Sequence, residues 1–250
     1  MVQLKNGAQL AAMREAGKIT GEALLTAGEH VRPGVTTKHL DDIVRHAIEK
    51  HGATPSFLGY GGFPASACIS VNDEVIHGIP SADRVLQEGD IVKIDVGAFY
   101  KGYHGDSANT FPVGEISPEA KRLIEATKQS FFAGVENAVA GKRLGDIGAA
   151  VEGYVKGFGY SVVREFVGHG VGRELHEDPN VPNYGTPGRG LRLLPGMTIA
   201  IEPMVCAGSA QVRILPNRWT VVTVDRSLAA HYEHTVALTP DGPLLLTKVD

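Results

Sequence analysis

Displaced by 107 residues, the chain overlays on itself. Gly34 falls on Gly141 and Gly52 on Gly159, while Leu40, Val44 and Ile48 fall on Ile147, Val151 and Val155. Helical stripes can coincide by chance, but here the order of elements repeats with them. Leu10, Met13, Ile19 and Leu24 keep near-helical spacing up to Pro33-Gly34. A second stripe of Leu40, Ile43, Val44, Ala47 and Ile48 follows, with Asp41 and Asp42 near its start, Lys50 near its end and Gly52 as its stop. Extended chain is expected at residues 68–71 and 91–100, with a turn at Lys101-Gly102. The second half starts a long helix at Ser117-Pro118-Glu119 that carries Leu123, Ile124, Phe131 and Val135 and ends near Gly141. A shorter helix bears Ile147, Ala150, Val151, Tyr154 and Val155, and strands are expected at 161–167, 197–201, 219–224 and 231–238. The prediction is an α+β fold. One domain, residues 1–250, holds two related halves with helices packed on a curved, mostly antiparallel sheet.

Composition narrows the function. With 43% hydrophobic and 21% charged residues the chain falls among soluble globular proteins, and 250 residues bury a substantial core. A formal net charge of -4 gives no broad attraction to phosphates, so no nucleic-acid partner is expected. No apolar run approaches the roughly 20 residues that span a bilayer. Lys5, Asn6 and Arg14 interrupt the first segment, which does not read as a signal peptide, so the expected location is the cytoplasm, without membrane attachment. Cys68 and Cys206 are far apart and form no C-x-x-C. Any metal would therefore rest on oxygen and imidazole ligands.

Asp95 lies inside the apolar run Ile91-Val92-Lys93-Ile94-Asp95-Val96, where a carboxylate is costly unless compensated. If Lys101-Gly102 is a two-residue hairpin loop, Asp106 pairs opposite Gly97, on the face of Asp95 and diagonal to it. Two readings stand for this pair: side chains converging on one ion, or turn-proximal acids bonded to backbone or Lys93. Glu202, in Ala200-Ile201-Glu202-Pro203, and Glu233, in His231-Tyr232-Glu233-His234, are also acids in strand-like contexts. Four gathered carboxylates would need positive charge, and two divalent cations match it; otherwise they are unrelated surface acids. His169 in Gly168-His169-Gly170-Val171-Gly172 would add an imidazole. That segment fails the dinucleotide pattern G-x-G-x-x-G because Arg173 stands at the third glycine, and no G-x-x-x-x-G-K, H-E-x-x-H or G-x-S-x-G occurs. His77 and His176 taken singly read equally as structural histidines.

The ordered series Asn72-Asp73-Glu74-Val75-Ile76-His77-Gly78-Ile79-Pro80, Ile94-Asp95-Val96, Gly102-Tyr103-His104-Gly105-Asp106, Gly168-His169-Gly170, His176-Glu177-Asp178-Pro179, Ile201-Glu202-Pro203-Met204 and Tyr232-Glu233-His234-Thr235 resembles bacterial type I methionine aminopeptidases across almost the whole chain. The resemblance implies the pita-bread fold, whose two pseudo-symmetric halves agree with the repeat. It implies a monomeric enzyme that removes the initiator methionine from nascent polypeptides when the second residue is small. The nucleophile would be a water or hydroxide activated by two divalent ions. Asp95, Asp106, His169, Glu202 and Glu233 would bind them, with Asp106 and Glu233 bridging, Asp95 on one ion, and His169 and Glu202 on the other. His77 would contact the substrate backbone, His176 its carbonyl oxygen, and Glu202 would shuttle the proton. The methionine pocket would comprise Tyr60, Phe63, Cys68, Leu175 and Trp219, with Leu175 in place of a common phenylalanine and Phe63 of a tyrosine.

One imidazole with four carboxylates suits Mn²⁺ and Fe²⁺, and Co²⁺ and Zn²⁺ also bind such sites. A proline-specific peptidase of the same fold would share the five ligands, but those relatives carry a large N-terminal domain not expected here. A peptide-binding pseudoenzyme typically loses ligands, whereas all five stand in this chain. No zinc-finger or proline-rich extension is expected to dock it on the ribosome.

Overall fold

Helix α1 (Gly7–Glu29) starts at Asn6. The Asn6 side-chain oxygen accepts from the Gln9 N–H at 3.0 Å and Gln9 Oε1 accepts from the Asn6 N–H at 2.8 Å, a reciprocal cap. The helix lies close on the sheet through glycine. A β-carbon on Gly17 would come within 2.3 Å of the Leu246 carbonyl oxygen, and one on Gly105 within 2.8 Å of Gly17 Cα. Helix α2 (Thr37–Glu49) buries Leu40, Val44, Ala47 and Ile48 against the first half of the sheet. Its Asp41 is buried too, and Oδ1 accepts from the N–H groups of Ser66 and Ala67 at 2.8 and 3.0 Å. This acid therefore anchors the start of a strand instead of merely facing the helix dipole. The computed structural model describes residues 1–249.

Five strands complete the first half: β1 (Thr54–Pro55), β2 (Ala67–Val71), β3 (Glu74–Ile76), β4 (Ile91–Tyr100) and β5 (Tyr103–Pro112). Lys101 and Gly102 take φ of 50° and 82°, the left-handed pair that a two-residue hairpin needs, so Tyr100 pairs with Tyr103 and Gly97 with Asp106 as expected. In the second half, α3 (Pro118–Val135) and α4 (Leu144–Lys156) precede β6 (Ser161–Val162), β7 (Gly168–Gly170), β8 (Glu177–Val181), β9 (Thr198–Ile201), β10 (Met204–Cys206), β11 (Val212–Ile214), β12 (Val221–Thr223), β13 (Ala229–His231), β14 (Glu233–Thr239) and β15 (Gly242–Leu245). Helix α4 starts and stops 107 residues after α2, and β6 does so after β1. Asp95 and Glu202 stand at the same offset.

The described strands pair antiparallel throughout. Nine form one sheet in the order β1-β4-β5-β14-β9-β7-β8, with β2 beside β4 and β15 beside β14; β13-β10-β6 and β11-β12-β3 form two smaller sheets. The second-half core gathers Phe131, Ile147, Ile199, Ile201 and Val236.

Three expected strands are shortened or broken, and of these 219–224 is extended only at Val221–Thr223. Residues 161–167 are extended only at Ser161–Val162, after which Val163 donates to the Met204 carbonyl at 3.0 Å and the chain bends away. The run 231–238 breaks at Tyr232, because β13 and β14 belong to different sheets. The chain makes the same passage from β9 to β10 at Glu202-Pro203, where the proline has no N–H to continue a ladder. Register carries through both breaks, Ile201 with His234 and Met204 with His231, so Glu202 lies across from Glu233. Among the described residues no helix is long and apolar enough to cross a membrane.

Candidate metal centre and active site

Strand register assembles the acids. Asp95 pairs with Ala108 and Ala108 with Glu233, which faces Glu202, so three carboxylates and one alanine form a row across β4, β5, β14 and β9. Asp106 lies two residues from Ala108 and therefore on the same face of β5. His169, central in β7, stands across from Ala200, two residues from Glu202. Its Nε2 lies 3.5 Å from Glu202 Oε1 and 3.7 Å from Asp106 Oδ2. Two groups bring ligand atoms within 4.8 Å of one another: Asp106, His169 and Glu233, and Asp95, His231 and Glu233.

These carboxylates lack compensation from the protein. Asp106 is 3% exposed and Glu233 2%, and one oxygen each of Asp95, Asp106 and Glu233 is buried without a hydrogen-bond partner. Lys93, on the same face of β4 as Asp95, donates instead to the Asn72 carbonyl at 2.7 Å, which removes the lysine alternative. Burial pushes the Asp95 carboxyl up to about 7. It also holds Asp106, Glu202 and Glu233 well above the usual carboxylate range, with neighbouring acids adding to the effect. Burial, followed by the His176 ring, pushes His169 down to about 3. Its neutral ring donates Nδ1–H to the Gly170 carbonyl at 2.9 Å, which leaves the Nε2 lone pair facing the acids. Orphaned buried oxygens with one oriented imidazole fit divalent cations.

Beside the acids lies a cavity of about 130 Å³ lined by Phe57, Tyr60, Phe63, Cys68, His77, Asp95, Leu175, His176 and Trp219. All five residues expected in the pocket, and both expected histidines, line it. Tyr60 sits in a one-turn 3₁₀ segment (Tyr60–Gly62) flanked by Gly59 at φ 83°, and its hydroxyl lies 2.9 Å from His176 Nδ1 with the rings stacked at 5.2 Å. The His176 and His169 rings are 4.0 Å apart. His77, at the left-handed φ of 57°, meets Phe166 and Trp219 edge-on. Burial, aided by His176, pushes His77 down to about 4 and keeps it neutral. The Cys68 thiol is pushed well above its usual range by burial, so it lines the pocket as a neutral, soft wall. Sequence reasoning missed Phe57, a lone aromatic in a Pro-Ser-Phe turn, and Asp41, whose anchoring of β2 seats Cys68.

A largely apolar cavity the size of one side chain, with Asp95 in its wall, lies beside a buried acidic cluster that fits divalent cations, and the chain belongs to metallopeptidase family M24, which it matches over residues 11–240. It is 58% identical over 247 residues to the methionine aminopeptidase of Clostridium acetobutylicum, covering 99% of each chain. Its identity to methionine aminopeptidase 1 of Bacillus subtilis is 52% over 249 residues, with 100% of both covered. Within that family the chain belongs with the methionine aminopeptidases. The crystal structure of methionine aminopeptidase from Thermotoga maritima matches with a TM-score of 0.98 at 44% identity over 100% of both chains, which establishes the pita-bread fold. Prolidase from Pyrococcus furiosus shares the fold at a TM-score of 0.79 and 25% identity, but this chain covers only 66% of it.

Proposed function

We propose that this enzyme removes the initiator methionine from nascent polypeptides in the cytoplasm when the second residue is small, with Asp95, Asp106, His169, Glu202 and Glu233 holding two divalent cations, Mn²⁺, Fe²⁺, Co²⁺ or Zn²⁺. The observation that carries the reading is the continuity of the uncompensated acid row with an apolar cavity at Asp95. When bound, the cations offset the four carboxylates and make water a competent nucleophile at neutral pH. Asp106 and Glu233 would be shared between the cations, Asp95 would serve one, and His169 with Glu202 would serve the other. Glu202 takes the proton from the attacking water and passes it to the leaving amine. Tyr60, donating O–H to His176 Nδ1, leaves His176 Nε2–H to donate to the carbonyl oxygen as charge develops there. His77 aligns the substrate backbone. Phe63, Cys68, Leu175 and Trp219 enclose the methionine side chain, so the second residue falls against the wall near His77.

A bulky second residue would then displace the carbonyl from His176 and lose alignment as well as fit. At fixed metal concentration, kcat/KM for Met-Ala-Ser-Lys should exceed that for Met-Leu-Ser-Lys and for Leu-Ala-Ser-Lys by about 10²-fold. Gly and Ser in second place should behave like Ala, and Lys, Arg and Phe like Leu. Comparable values for Met-Ala and Met-Leu, or for Met-Ala and Leu-Ala, would make this a broad aminopeptidase.

The raised carboxyl pKa values set a pH dependence for the metal-free protein. Unfolded carboxyls titrate near about 4; the folded Asp95 does so at about 7, and the other three are raised as well. Through these acids the folded state binds more protons than the unfolded one. The histidines that burial pushes below their usual range act the opposite way until the unfolded histidines lose their protons at about pH 6.5. Above that the acids alone remain, and stability falls as pH rises. The melting temperature of chelator-treated protein should therefore decline from about pH 7 to about pH 9, and the gain on adding Mn²⁺ should widen. A gain independent of pH would separate the acids from metal binding.

A further inference from the structure

His231 belongs to none of the roles assigned above, yet it faces the same acids. It closes β13, one residue before the chain crosses into β14, and Thr110 fixes its backbone on both sides: Thr110 Oγ1 donates to the His231 carbonyl at 2.8 Å and accepts from its N–H at 2.9 Å. The residue is 1% exposed, and neither ring nitrogen has a hydrogen-bond partner. Nε2 lies 3.9 Å from Glu202 Oε2 and 3.8 Å from Glu233 Oε2. The two oxygens of Glu202 are thus divided between histidines, Oε1 towards His169 and Oε2 towards His231.

Resting on the reading of Glu202 as ligand and proton shuttle, we propose that His231 is a positioning residue whose Nε2–H holds Glu202 Oε2, so that Oε1 stays turned to the cation shared with His169.

The alternative is that Nε2 is itself a metal ligand, and the surroundings of the other ring nitrogen decide between them. A neutral imidazole carries one N–H and one lone pair. In His169 the Gly170 carbonyl accepts from Nδ1–H and so frees the Nε2 lone pair. His231 Nδ1 has no such acceptor. Placing the proton there would bury an N–H with no partner, the rarer and costlier orphan, whereas on Nε2 it faces two carboxylate oxygens. An approach of about 1 Å converts the present separations into hydrogen bonds, and catalytic contacts commonly tighten this way once a site is loaded.

The test compares wild type, His231→Gln and His231→Ala, each loaded with Zn²⁺. Nitrogen-15 histidine NMR of the wild type should show His231 protonated at Nε2. His231→Ala should keep both cations by elemental analysis and lose about 10-fold or more in kcat on Met-Ala-Ser, with KM nearly unchanged. His231→Gln, which retains an N–H donor, should recover most of that loss. An unprotonated, metal-shifted Nε2, the loss of a cation in His231→Ala, full activity in that variant, or a Gln variant no better than Ala would each overturn the proposal. If His231→Ala does not fold, the wild-type spectrum and the Gln variant still decide. Failure of the underlying reading looks different: zinc-loaded wild type would not cleave Met-Ala-Ser at all, whatever stood at position 231.

Discussion

Asp106→Asn should leave a folded protein whose turnover of Met-Ala-Ser is reduced by about 10³-fold or more. The backbone at this position does not depend on the carboxylate, because Asp106 N–H donates to Thr235 Oγ1 at 3.0 Å and its carbonyl accepts from the same hydroxyl at 2.9 Å. The substitution removes one negative charge and presents an amide NH₂ where the proposed bridge needs an acceptor. Two changes of opposite sign follow. Metal-free Asp106→Asn should be at least as stable at neutral pH as the metal-free parent, since a repelling buried charge is gone. Its gain in melting temperature on adding Mn²⁺ should shrink. Elemental analysis, thermal melts with and without metal, and peptide turnover together check the set. Full activity of chelator-treated wild type would defeat the metal reading outright, and an Asp106→Asn variant that keeps two cations and normal turnover would defeat the bridge.

His176→Ala is expected to lower kcat by about 10²–10³-fold, the scale for losing one donor to a developing oxyanion, while KM and metal content hardly change. The ring is held by the Tyr60 hydroxyl at Nδ1 and packs against the His169 ring, but it makes no hydrogen bond to any of the four acids. Removing it should therefore leave the cluster intact. Loss of metal in the variant would show that His176 supports His169 structurally, and a rise in KM at constant kcat would make it a ground-state binding residue.

Much of this arrangement could be read in the sequence because its causes are local. Lys101-Gly102 fixes the hairpin register, and register alone puts Asp106 beside Asp95. Carboxylates inside Ile- and Val-rich strands stand out whatever the tertiary structure, and the helical stripes gave the 107-residue offset that α2 and α4 keep. The corners were not readable. Residues 231–238 look like one strand, and only pairing with β10 on one side and β9 on the other divides them at Tyr232. Asp41 carries the signature of a helix-start acid, and nothing nearby signals that it caps the N–H groups of Ser66 and Ala67. His231 reads as one more residue of a strand until the fold shows its ring buried without a partner. Each miss involves a group whose environment comes from distant segments.

The acid row has a further meaning for how the sheet coheres. A sheet is normally stable because pairing, packing and charge favour the same register; here the register that satisfies the backbone and the two cores also sets Glu202 against Glu233 and brings Asp95 and Asp106 close by. The fold is thus locally frustrated at its centre, not at its rim. Edge strands are where most sheets yield first. In this one, stripped of metal at neutral pH, amide hydrogens around Ala108 and Thr235 should exchange faster than their depth implies, and the site would be the place where native order is least secure until it is filled.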